Sequence, residues 1–133
     1  MIGVSAPKKD GNRFLTGRVT YSDDVVLPEM LHASVVRSPH PHARILSIDT
    51  THACLADGVI GVVTGDDARA VAGPIPHWMS PADAGGNHAD VFCLAVDKVV
   101  YEGQPVVAVV AETRADAAAA CDLVKVEYEL LSF

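Results

Sequence analysis

Three groups of residues in this 133-residue chain are of types that do chemistry: histidines, cysteines and paired carboxylates. His40 and His42 stand on either side of Pro41. Two histidines two apart in extended chain project to the same side, as imidazole ligands of zinc or iron can. His32, His52, His77 and His88 are tied to them by no short metal-binding spacing, so all six histidines read as loop and surface residues and no metal site is expected. Cys54, Cys93 and Cys121 are an odd number at long spacings. That suits reduced thiols better than a disulfide framework, and three scattered cysteines do not supply an iron–sulfur cluster. Cys54 and Cys121 fall in alanine-containing helical stretches, where a thiol fills core space, and Cys93 is the better candidate for exposure. Asp23-Asp24 and Asp66-Asp67 read as turn residues bonding nearby amides, and Glu127 and Glu129 as the solvated face of a strand. There is no Gly-rich phosphate loop, no Gly-x-Ser-x-Gly and no nucleophile beside a base. By itself the chain shows no complete catalytic constellation, so no residue is expected to be catalytic, cofactor-binding or metal-binding.

Composition narrows the setting. Half of the residues are hydrophobic, and a single domain of this length buries roughly two thirds of its unfolded surface. Ten basic against 17 acidic residues give a net charge of -7, which argues against a nucleic-acid surface, since such a surface needs clustered Lys and Arg. No run approaches a bilayer span, and the N-terminus lacks the apolar core of a signal peptide. A soluble, cytoplasmic protein with neither nucleic-acid nor membrane partner is expected.

The elements that must position these residues centre on Val99 to Glu112. Gly103 and Pro105 punctuate a reversal, and the six consecutive apolar residues Val106 to Ala111 then make a strand with both faces covered, the central strand of a sheet. Residues 1–13 read as a flexible N-terminal arm and 14–133 as one domain. Phe14 to Tyr21 reads as an irregular strand and Met30 to Arg37 as a regular one, with Leu31, Ala33 and Val35 on its more apolar face. Pro39 and Pro41 forbid helix across 38–42. Further strands are expected over Ala43–Asp49, Val59–Thr64 and Lys125–Leu131. Helices are expected over Thr51–Leu55, capped by Thr50 or Thr51, and from Arg114 to about Val124, capped by Thr113 with Asp116 in its first turn. Residues 72–90, rich in Gly and Pro and holding the single Trp78, form a long loop.

Several blocks together resemble one family. They are Thr16-Gly17-Arg18 with Tyr21, Met30-Leu31-His32-Ala33, Val36-Arg37-Ser38-Pro39 with His42-Ala43-Arg44-Ile45, and Ile48-Asp49-Thr50. Thr64-Gly65 with Asp67, Val100 to Val106, and Val109-Ala111-Glu112-Thr113 leading to Val126-Glu127-Tyr128 complete the series. In this order they are similar to the N-terminal α/β-hammerhead domain of the molybdenum-binding large subunit of the xanthine dehydrogenase, aldehyde oxidase and carbon monoxide dehydrogenase family. The resemblance implies an α+β fold, an α/β-hammerhead with a mixed sheet and two main helices. It implies a parent oxidoreductase that holds molybdopterin and hydroxylates its substrate with oxygen from water. Iron–sulfur clusters and FAD would sit on partner subunits. The family's pterin-binding segments and its general base follow this domain, so the resemblance implies no cofactor bound by this chain alone.

What the resemblance carries onto these residues is structural. Arg37, Ser38, His42 and Arg44 are expected in a rigid loop on which neighbouring domains pack, and Tyr101, Gly103 and Gln104 in the turn leading to the central strand. The implied partners are a molybdopterin-binding large-subunit polypeptide and an iron–sulfur subunit, with self-association if the covering surface is missing. Two rival readings are an orphan scaffold or binding module that uses the 72–90 loop, and a metalloprotein built on His40 and His42.

Overall fold

The computed structural model describes residues 2–3, 5–76, 83, 85 and 90–132. Most of the expected 72–90 loop, with His77, Trp78 and His88, lies outside the described residues. The chain divides into two units, Met1–Met30 and Leu31–Phe133.

In the first unit, helix α1 spans Gly11–Leu15. The strand expected across Phe14–Tyr21 is therefore not formed, its first residues being helical and the rest irregular, and α1 runs through the point where the arm is expected to end. The stop signal decides this. Gly17 takes φ +66° just after the C-cap Thr16, its amide bonds the Phe14 carbonyl at 3.3 Å, and the Arg18 amide bonds Arg13 O at 2.9 Å. That pair of bonds is the Schellman closure, which a glycine accepts without strain. Ser22–Asp24 then makes one 3-10 turn in which the Asp24 carboxylate accepts the Tyr21 amide at 2.9 Å, the local bonding expected of it.

The second unit contains strands β1 (His32–Arg37) and β2 (Ala43–Asp49), helix α2 (Thr51–Cys54), strand β3 (Val59–Thr64) and helix α3 (Gly65–Val71). Strands β4 (Lys98–Val99) and β5 (Pro105–Ala111), helix α4 (Arg114–Cys121) and strand β6 (Lys125–Leu130) complete it. The α+β class holds, with a finer strand arrangement than one mixed sheet. Two three-stranded sheets form, ordered β1-β5-β3 and β4-β2-β6, and every pairing is antiparallel. Pro39 and Pro41 interrupt the chain between β1 and β2, so β2 leaves the sheet of β1 and pairs with β6.

Strand β5 is central in its sheet, as its unbroken apolar run requires, and Val106, Val107 and Val109 are fully buried. Ala117 and Ala120 are buried on α4, which lies against β1 and β5. Ile45, Ile48, Val126 and Tyr128 of the second sheet pack on the same core.

Two findings depart from expectation. Asp66 and Asp67 open helix α3 instead of forming a simple turn. Thr64 and Asp67 make a reciprocal cap, with the Thr64 amide bonding Asp67 Oδ2 at 2.9 Å and the Asp67 amide bonding Thr64 Oγ1 at 3.4 Å. On β1 the core takes Val36, while Leu31 and Ala33 of the more apolar face are exposed.

Candidate functional site

Ser38 and Gln104, the two buried polar residues among those described, belong to two loops that backbone hydrogen bonds join. Gly103 supplies the turn with φ +83°. The Ser38 amide donates to the Gln104 carbonyl at 2.9 Å, and the Gly103 amide donates to the Ser38 carbonyl at 2.8 Å. Arg37 Nη1 adds a bond to the Gly103 carbonyl at 3.0 Å. Within the turn the Gln104 amide reaches Tyr101 O at 3.3 Å, and its side-chain Oε1 accepts the Val100 amide at 2.7 Å. Buried polar groups need such partners, and here they are supplied by the opposing loop and the turn itself.

A second layer ties this clasp to β6. Ser38 Oγ donates to the His40 carbonyl at 2.9 Å and accepts the His40 amide at 3.0 Å, which rigidifies the stretch between the two prolines. The His40 ring stands edge-on to Tyr128, with centroids 5.1 Å apart. Burial pushes the Tyr128 phenol up, and the neighbouring Ser38 hydroxyl offsets this only in part. That hydroxyl is already engaged with His40, and the phenol oxygen is buried without a hydrogen bond of good geometry. His42 Nδ1 lies 2.9 Å from the Ser132 carbonyl, and Arg44 Nη1 lies 3.0 Å from Glu129 Oε2 on the exposed face of β2 and β6.

The structure thus brings Arg37, Ser38, Tyr101, Gly103 and Gln104 into one joint, and sets Arg44 on β2 of the neighbouring sheet with His42 in the loop just before it. His40, which the sequence offers only as one of a histidine pair, and Tyr128, which it offers only within the family series, connect the two. They are far apart in sequence, and no local pattern marks a ring contact of that range.

Burial first and the neighbouring Asp122 second push the Cys121 thiol up, away from the thiolate that reacts. No three His, Cys, Asp or Glu residues stand together to hold a metal ion among those described. Two open clefts lie in the second unit, and Gln104 lines one of them. One, of about 560 Å³, lies along β2 from Arg44 to Ile48 with Thr64 and Asp66, and the other, of about 320 Å³, is lined by Arg69, Asp90, Phe92 and Gln104 among others. The arrangement holds two loops and a strand end rigidly, and its polar groups bond one another.

Comparison with known proteins follows the same outline. The family model for the aldehyde oxidase and xanthine dehydrogenase a/b hammerhead domain matches residues 16–132. The 6-hydroxypseudooxynicotine dehydrogenase complex subunit gamma of Paenarthrobacter nicotinovorans is 40% identical over 98% of this chain and 17% of its own length. The carbon monoxide dehydrogenase large chain of Afipia carboxidovorans is 42% identical over 98% of this chain and 15% of its own. Among solved structures, quinoline 2-oxidoreductase from Pseudomonas putida 86 superposes with a TM-score of 0.84 at 38% identity, over 98% of this chain and 16% of that one. This chain therefore spans about one sixth of the length of such relatives.

Proposed function

Because the chain belongs to the aldehyde oxidase and xanthine dehydrogenase a/b hammerhead family, we propose that it supports the molybdopterin-binding part of a molybdenum hydroxylase and does not perform the chemistry itself. The observation that carries this is the match over nearly the whole chain to one continuous part of much longer oxidoreductases. Molybdopterin supplies the redox chemistry in the parent enzyme, and iron–sulfur clusters and FAD on partner subunits take up the electrons. None of the described residues is assigned to the pterin, since Ser38 and Gln104 are bonded within the joint. The role left to Arg37, Ser38, Tyr101, Gly103 and Gln104 is to hold the 37–42 loop and the 100–105 turn as one rigid edge. On this reading His42 and Arg44 extend that edge along β2, and residues 1–13 are an arm that orders against the rest of the enzyme.

The partners are the molybdopterin-binding polypeptide and an iron–sulfur subunit, in the cytoplasm. Among the described residues no helix is long and apolar enough to cross a membrane. The orphan-scaffold reading finds no support in relatives that are themselves oxidoreductases by name. The test is affinity purification of the tagged chain from its native host, with molybdenum measured by mass spectrometry of the eluate. Stoichiometric molybdenum is expected, and a metal-free chain would overturn the reading.

A further inference from the structure

One face of the β1-β5-β3 sheet is left partly open. Pairing sets Ala33 beside Val110 and Gly61, and Val35 beside Ala108 and Val63. Cross-strand partners share a face, so these six small apolar residues form two adjoining rows. They lie on the side opposite Val36 and Val107, which meet the core. Val63 is 36% exposed, Ala33 is exposed, and Leu31 extends the β1 row at 47% exposure. No polar side chain interrupts the rows, in a chain whose net charge is -7.

Gly61 indicates what this face is for. A glycine inside a strand weakens it, and the usual reasons are a positive φ or a neighbour that a Cβ would strike. Gly61 has neither reason, because its φ lies outside the left-handed region and a Cβ added there meets no atom within 4 Å. The register shift beside it, between Val59 and Gly61, does not demand glycine at ordinary φ either. The remaining reason is close approach of a backbone that is not part of this domain.

We propose that this face is the seat of an apolar element of the molybdenum-binding polypeptide, whose backbone packs directly over Gly61. The proposal rests on the function argued above. The occupant follows from the shape of the face and from the lengths of the relatives. Ala33 and Gly61 flank Val110, and Val35 and Val63 flank Ala108, so the face is an uncharged pattern of small and larger apolar residues that takes a projecting apolar ridge, whereas a second copy paired about a two-fold axis would set this same face against itself. Relatives carry about five sixths of their length beyond the matched part, which is ample to supply the ridge.

The test uses the assembly purified from the native host through a tag on this chain. Gly61→Trp fills the open space above Gly61 and is expected to lower molybdenum per chain by about tenfold, while Lys125→Trp on β6 leaves it unchanged. In a second variant, Val63→Cys is expected to react with a maleimide about tenfold more slowly than Lys125→Cys in the same assembly, because interface cores exclude water. Thermal unfolding of Gly61→Trp checks that the fold survives. Full molybdenum content together with fast labelling at Val63→Cys would overturn the docking face and leave the parent function standing. Molybdenum absent from the wild-type preparation would overturn both. A molybdenum-free dimer by light scattering, dissociated by Gly61→Trp, would assign the face to a second copy and overturn the proposal.

Discussion

At the scale of single residues, the joint between Ser38 and Gln104 makes the sharpest prediction. Gln104 is 93% buried, its exposure being 7%, and its Oε1 holds the Val100 amide at 2.7 Å. Gln104→Met keeps the volume and removes the acceptor, and is expected to cost about 1 kcal/mol in urea unfolding. Arg44→Ala removes an ion pair whose two side chains are both at least half exposed, so a loss under about 1 kcal/mol is expected in the same assay. From sequence Arg44 is expected in a loop on which neighbouring domains pack and Gln104 in the turn that leads to the central strand. Burial separates them, and burial belongs to the folded chain. Gly103 and Pro105, by contrast, announced the turn through their own backbone restrictions.

At the scale of elements, the junction of β3 and α3 is set by Thr64, Gly65 and Asp67. A Cβ at Gly65 would run into the Ala95 carbonyl oxygen, so Gly65→Ala is expected to destabilise by about 3 kcal/mol, at the upper end for overpacking. Gly61→Ala, where a Cβ meets nothing, is expected to gain up to about 1 kcal/mol, and differential scanning calorimetry separates the two. Asp67 accepts the Thr64 hydroxyl and amide at 2.6 and 2.9 Å, and these bonds hold its pKa below the usual carboxylate range. A depressed pKa gives stability that is present above the unfolded value near about 4 and is lost as pH falls through the folded value. Asp67→Asn, which cannot titrate, is expected to show a shallower fall in the urea midpoint below about pH 4. The capping pattern was readable in Thr64-Gly65-Asp66-Asp67. Gly and paired Asp also mark turns, and only the packing of Ala68 distinguishes a helix there.

At the scale of the molecule, every buried residue among those described lies in the second unit. Deleting residues 1–30 is therefore expected to leave one cooperative unfolding transition in circular dichroism, and loss of that transition would show that the core needs the first unit. The sequence alone determined the central strand, the α4 helix with its Thr113 cap, the turn at Gly103 and the family, because each rests on local restrictions or on blocks in order along the chain. It also placed Leu31, Ala33 and Val35 on one face of β1. Tertiary structure alone decided that this apolar face looks outward, that the strands divide into two sheets, and that Ser38, His40, Gln104 and Tyr128 meet. The physical reason is that a pleat assigns residues to one of two faces, while which face is covered depends on elements dozens of residues away.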